Sequence, residues 1–190
     1  MSIFIVVPTY NERENIETLI HKIFALRIPE LKLVVVDDGS PDKTAERVRA
    51  LAALYPIHLI ERPDKRGLGT AYAEAFRAIL EGRIRDWGIP DHIIQMDADL
   101  SHDPAVIPRL LDAVQGADLV IGSRYIAGGG IKNWDWSRRA LSVFANHYAR
   151  WILGVPYHDL TAGFKCYRRE ALQALDWGAV SSVGYNFQVE

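Results

Sequence analysis

Cysteine is nearly absent: Cys166 is the single one in 190 residues. That excludes an internal disulfide, and a lone thiol makes no zinc site. Cys166 reads as a small core residue. No apolar run is long enough to cross a bilayer. A basic excess is also missing. Lys and Arg number 22 against 24 Asp and Glu, for a formal net charge of −2, which argues against nucleic acid as a partner. The sequence has no Gly-Lys-Ser/Thr phosphate loop and no Gly-x-Ser-x-Gly elbow, and its six histidines show no metal-ligand spacing. The start, Met-Ser-Ile-Phe-Ile, has neither the basic head nor the cleavage site of a signal peptide. A cytoplasmic protein, soluble or peripheral, is the expectation.

What is present is a chain that can bury a core. Apolar residues make up 49% and charged residues 24%, the balance of a globular domain rather than a disordered one. Short runs at 3–7, 33–36, 57–60, 93–96 and 119–121 are rich in Ile, Val and Leu without polar alternation. Such runs predict strands buried on both faces, the habit of a parallel sheet. Helical patterns fill the gaps at 14–25, 43–54, 70–81 and 105–114. Ser40-Pro41 and Asp103-Pro104 each set a capping residue before a proline at a helix start. The alternation predicts an α/β layered fold with a mostly parallel central sheet. After Ser123 the character changes. A loop over 125–135 carries Gly128-Gly129-Gly130, a helix rich in Trp, Arg and Tyr follows at about 137–153, then an extended segment at 163–167 and a short helix at 169–175. No linker separates residues 1–123 from 124–190, so both halves are expected in one unit.

The unusual polar residues fall at strand ends, where open α/β sheets bind ligands. Strand one ends in Pro8-Thr9-Tyr10-Asn11-Glu12, strand two in Asp37-Asp38-Gly39-Ser40, the fourth in Asp97-Ala98-Asp99 and the fifth in Gly122-Ser123-Arg124. Any one of these can be only a turn; their agreement predicts a site. Hard divalent cations prefer carboxylate oxygens and bridge phosphates, so Asp97 and Asp99 are the candidate metal ligands. Asp37 and Asp38 read equally as a β-to-α turn or as acceptors for a nucleobase or ribose. Tyr10 either stacks on a base or covers the sheet end. His102 lies close enough in sequence to support the Asp pair.

Gly67-Leu68-Gly69 opens a helix after the third strand, but Tyr72 stands where a dinucleotide fingerprint has its third glycine. NAD binding is excluded on that ground. The glycines read first as tight packing, with phosphate contact from Lys65 or Arg66 as the second reading.

Together these motifs resemble the family 2 glycosyltransferases of GT-A fold, and more narrowly the dolichol- and polyprenol-phosphate mannose synthases. The resemblance rests on residues 6–12, 37–42, 67–71, 96–100, 122–125, 136–146 and 159–164 and spans essentially the whole chain. It implies a Rossmann-like three-layer sandwich in which residues 1–123 form a nucleotide-sugar half and 124–190 an acceptor half. Pro8, Tyr10, Glu12 and Asp37 would hold the nucleoside of GDP-mannose. Asp97 and Asp99 would bind Mg²⁺ or Mn²⁺ and the diphosphate. Arg124, Arg138 and Ser142 would take the phosphate of a polyprenyl acceptor at the cytoplasmic membrane face. The implied reaction is an inverting transfer of mannose, with Asp97, Asp99 and Arg124 nearest the chemistry. Ser101 stands where the family often has a Gln ligand, so metal contact there would pass through water. Relatives usually continue beyond the equivalent of Glu190, so the acceptor half is expected to be cut short. The alternatives are a UDP-glucose-dependent or polysaccharide-building member, with Asp159 as base, and an inactive nucleotide-sugar-binding module.

Overall fold

A computed structural model of the chain describes residues 1–123, 159 and 162–175. The predicted loop at 125–135 and helix at 137–153, and with them Arg124, Arg138 and Ser142, lie outside the described residues. The described elements begin with β1 (Ile3–Thr9), α1 (Arg13–Ala25), β2 (Leu31–Asp37), α2 (Thr44–Leu51), β3 (Ile57–Glu61) and α3 (Leu68–Leu80). β4 (His92–Gln95), α4 (Ile107–Ala113), β5 (Leu119–Ile121), β6 (Lys165–Arg168) and α5 (Arg169–Gln173) follow.

The sheet order is β3-β2-β1-β4-β6-β5. β1 runs parallel to β2 and β4, and β2 parallel to β3. β6 is antiparallel to both its neighbours, with Cys166 opposite Ile94 on one side and Val120 on the other. A strand from the far half of the sequence is thus built into the sheet of the first half.

Both faces of the sheet are covered, which explains the unbroken apolar strands. Side chains alternate along a strand. Ile3, Ile5, Val7, Leu33 and Val35 join α1, α2 and α4 in one core layer. Phe4, Val6, Val34 and Val36 join Tyr72, Phe76 and Ile79 of α3 and Leu172 of α5 in the other. All seven residues of β1 are buried, as a central strand between two helical layers must be. Cys166 is the small core residue expected, and burial pushes its thiol up to about 12.

Two helix starts turned out differently. Asp103 caps as predicted: its carboxylate accepts the Ala105 N–H at 3.0 Å, with Pro104 next in line. Ser40 does not cap α2. That helix begins four residues later, after Lys43 in a left-handed conformation, and Asp42 accepts the N–H of Thr44 at 3.0 Å and its hydroxyl at 2.6 Å. Ser40 is drawn back to the strand end instead, donating its hydroxyl to Asp37 at 2.6 Å.

Candidate active site

A cleft of about 290 Å³ opens beyond the C-terminal ends of β1, β2 and β4. Its lining combines Pro8, Tyr10 and Glu12 after β1, Asp38 after β2, Lys65 and Gly67 before α3, and Asp97 and Asp99 after β4. Three of the four predicted strand ends therefore converge. Of the fifth strand's end, Gly122 turns to the segment just before β6, donating its N–H to the Phe164 carbonyl at 2.8 Å.

The two carboxylates after β2 separate. Asp37 accepts the Thr9 hydroxyl at 2.9 Å and both the N–H and hydroxyl of Ser40. It is 3% exposed and does not line the cleft. Asp38 does line it. Its oxygens accept the backbone N–H of Arg66 at 3.0 and 3.1 Å and of Gly67 at 2.8 Å. Behind it the Arg62 guanidinium, 2% exposed, lies 3.1 Å away as an ion pair. Arg62 also donates to Thr70 at 2.7 Å. Gly39 lets the two loops close: at φ 71 it sits where a Cβ would come within 3.1 Å of the Asp64 backbone. The loop between β3 and α3 is thereby fixed as a wall of the cleft, which sequence reasoning gave only a secondary part. Its Lys65 ammonium lies over the Tyr10 ring, 3.8 Å from the centroid, a cation–π contact. Arg66 turns its guanidinium to Asp64 instead, at 2.9 Å.

The carboxylates after β4 stay together in the cleft. Asp97 accepts the Tyr72 hydroxyl at 3.1 Å. Its backbone N–H donates to His102 Nδ1 at 3.1 Å, and its Oδ2 lies 3.8 Å from His102 Nε2. Asp99 is exposed and accepts the Ser101 N–H at 3.0 Å. Between them and Ser101, Leu100 takes a left-handed φ of 61, a strained choice for a bulky residue that marks a constrained turn. Ser101 does not line the cleft. Glu12 faces this pair. Burial first, then the charges of Asp99, Asp42 and Asp97, raise its carboxyl above its ordinary value against the opposing hydrogen bond from Asn15. Negative charge is thus concentrated at one end of the cleft, with Lys65 at the other.

Asp159 is 1% exposed, and its carbonyl accepts the Ala162 N–H at 3.4 Å. The residues beyond it close on the site, since a Cβ on Gly163 would stand 2.8 Å from Asp97 Oδ2. Tyr72 and Gly163 are the participants that sequence reasoning passed over, while Asp38 takes the place in the cleft expected of Asp37. Tyr72 did leave a trace there, as the residue that breaks the dinucleotide pattern.

A doubly covered, mostly parallel sheet with acidic groups at its central strand ends, faced by a lysine and an aromatic ring, has the make-up of a GT-A nucleotide-sugar transferase. The same fold is seen in a mannosyltransferase from Pyrobaculum calidifontis solved with GDP-Man and Mn²⁺ (TM-score 0.60, 24% identity, covering 90% of this chain and 45% of that one). Residues 4–176 match the glycosyl transferase family 2 model, and the chain belongs to that family. It is 46% identical over 192 residues to the polyprenol monophosphomannose synthase of Mycolicibacterium smegmatis, covering 98% of this chain and 69% of that protein. It is 42% identical over 194 residues to the undecaprenyl-phosphate mannosyltransferase of Micrococcus luteus, covering 100% of this chain and 76% of that protein.

Proposed function

We propose that this glycosyltransferase moves mannose from GDP-mannose to a polyprenyl phosphate, inverting the anomeric centre. The observation that carries the reading is the cleft itself, lined by the carboxylates Asp97 and Asp99 together with Asp38, Tyr10 and Lys65. The names of the two relatives supply the sugar and the acceptor class, and the structural neighbour supplies GDP-Man as donor.

A divalent cation, Mg²⁺ or Mn²⁺, fits the residues present. Asp97 and Asp99 offer hard oxygen donors in one cleft, which Glu12 also lines. Among the described residues no three His, Cys, Asp or Glu side chains converge as a self-sufficient metal site. Asp97 and Asp99 would be the residues that hold the ion. When bound it supplies charge neutralisation for the departing GDP.

In the transfer, an oxygen of the lipid phosphate attacks the mannose anomeric carbon. The bond from that carbon to the diphosphate breaks, and its electron pair leaves with GDP. The attacking oxygen is already anionic, so no strong general base is needed, consistent with a buried Asp159. Asp38 and Tyr10 hold the nucleoside end, with Pro8 and Glu12 shaping it and Asp37 bracing the strand end behind it. Lys65 is placed for the diphosphate. Arg124, Arg138 and Ser142 receive the acceptor phosphate in the half after residue 123, where paired Arg hydrogen bonds suit phosphate. Among the described residues no helix is long and apolar enough to cross a membrane. Access to the lipid is by peripheral contact with the membrane surface.

The test is a donor screen on the purified chain: radiolabelled GDP-mannose against UDP-glucose, with polyprenyl phosphate and either metal. Transfer from GDP-mannose, abolished by a chelator, is expected. Transfer from UDP-glucose alone would replace the substrate reading and leave the family intact.

A further inference from the structure

Asp97 is gripped by groups that do not themselves line the cleft. We propose that Tyr72 and His102 are positioning residues that fix the orientation of the Asp97 carboxylate, with Gly163 left bare to admit it. The inference rests on the reading of Asp97 as a ligand for the cation and the donor.

A carboxylate on a strand end has two free side-chain torsions, and a ligand of this kind works only when those are set in advance. Here each oxygen has its own neighbour. Oδ1 accepts the Tyr72 hydroxyl at 3.1 Å. Oδ2 faces His102 Nε2 at 3.8 Å. Turning the carboxylate about its axis breaks the first contact. On the far side Gly163 leaves no room: a Cβ there would stand 2.8 Å from Oδ2 and 3.1 Å from His102 Cε1.

The two partners are themselves held. Tyr72 is fully buried on α3, its ring stacked on Phe76 at 5.8 Å and 27°. The His102 ring lies flat against Phe164, 5.1 Å apart at 12°. Its tautomer follows from geometry. The Asp97 N–H donates to Nδ1, so the ring hydrogen sits on Nε2, the nitrogen turned towards Oδ2. One residue thus takes a hydrogen bond from the Asp97 backbone and turns its ring N–H towards the Asp97 side chain. Core packing alone would be met by Phe at position 72; the hydroxyl has its meaning at Asp97.

The experiment measures Mn²⁺ binding to the full 190-residue chain in the presence of GDP, by the electron paramagnetic resonance of free Mn²⁺. Tyr72→Phe keeps the ring and removes the hydroxyl. It is expected to weaken Mn²⁺ binding about tenfold, while GDP binding without metal is unchanged. His102→Asn removes the donor facing Oδ2 and weakens Mn²⁺ by a similar factor; His102→Gln, which keeps an N–H on that side, retains most of the affinity. Circular dichroism checks the fold, and the two His102 variants carry the test if Tyr72→Phe does not fold. Unchanged Mn²⁺ affinity in a folded Tyr72→Phe would overturn the role of Tyr72, and equal losses in both His102 variants that of His102. Either outcome leaves the metal reading standing. A wild-type chain that binds no Mn²⁺ with GDP would overturn the metal reading and the inference together.

Discussion

The ends of β2 and β4 carry the same residue type and use it in opposite ways. After β2 the aspartates are adjacent, and alternation sends them to different layers of the molecule. Asp37 follows Val35 towards the α1 side and is spent on Thr9 and Ser40. Asp38 lies with Arg62 and the start of α3. After β4 the aspartates are one residue apart, and both reach the cleft. The first end builds the wall of the site; the second supplies its charge. Spacing by one or by two decides between an internal brace and a shared ligand set, and neighbouring carboxylates cannot be assumed to share a task.

The largest expected effect comes from crowding the β4 end. Gly163→Ala puts a methyl group 2.8 Å from Asp97 Oδ2. The carboxylate must turn or the segment must retreat, and a displacement of that order costs about 100-fold in transfer. Steady-state transfer assays on the variant, with circular dichroism to verify the fold, check this. Activity within a factor of a few of wild type would mean that Asp97 has freedom the structure does not show.

The next effect separates the adjacent pair after β2. Asp38→Asn removes one of the two carboxylates facing a guanidinium that is 2% exposed, Glu74 remaining at 3.5 Å, and weakens charge-assisted hydrogen bonds from Arg66 and Gly67, together worth about 2 kcal/mol. Asp37→Asn loses charge-assisted hydrogen bonds from Thr9 and Ser40, worth about 1.5 kcal/mol. Nucleotide affinity sharpens the contrast. It falls with Asp38→Asn, whose residue lines the cleft, and holds with Asp37→Asn, whose residue does not. Urea unfolding and calorimetric titration with GDP measure both. Equal losses of affinity would return Asp37 to the nucleoside site.

Much of this architecture was legible because it is local. An apolar run such as 3–7 announces burial on both faces, and Asp103-Pro104 announces its own cap. The convergence of strand ends follows from alternation of strands and helices, which is why Asp97 and Asp99 stood out. What escaped depends on contacts between distant residues. Tyr72 meets Asp97 across 25 positions, and Gly163 meets it from still further along the chain. Nothing in residues 163–167 says that their strand inserts antiparallel between β4 and β5. The cap of α2 was misread for the converse reason. Ser40 fits the local rule, but Asp37 competes for its hydroxyl, and Asp42 is better placed for Thr44.

The last comparison lies beneath the β4 end, in the strand inserted beside it. Lys165 pairs in register with Gln95 and is 7% exposed. Burial lowers its ammonium from the ordinary 10.5 to about 8, against an opposing pull from Asp159. Below pH 8 the lysine is charged in both folded and unfolded chains, and burying that charge costs about 3 kcal/mol of stability. Between pH 8 and 10.5 the folded chain gives up the proton first. The unfolded chain then binds more protons, so stability rises with pH across that window. Above 10.5 the contribution has vanished. Lys165→Met removes the titrating group, so the rise should be absent from the variant and present in the difference between wild type and variant. Denaturant unfolding on both sides of the window measures it. A rise that persists in Lys165→Met would move the titration to another group.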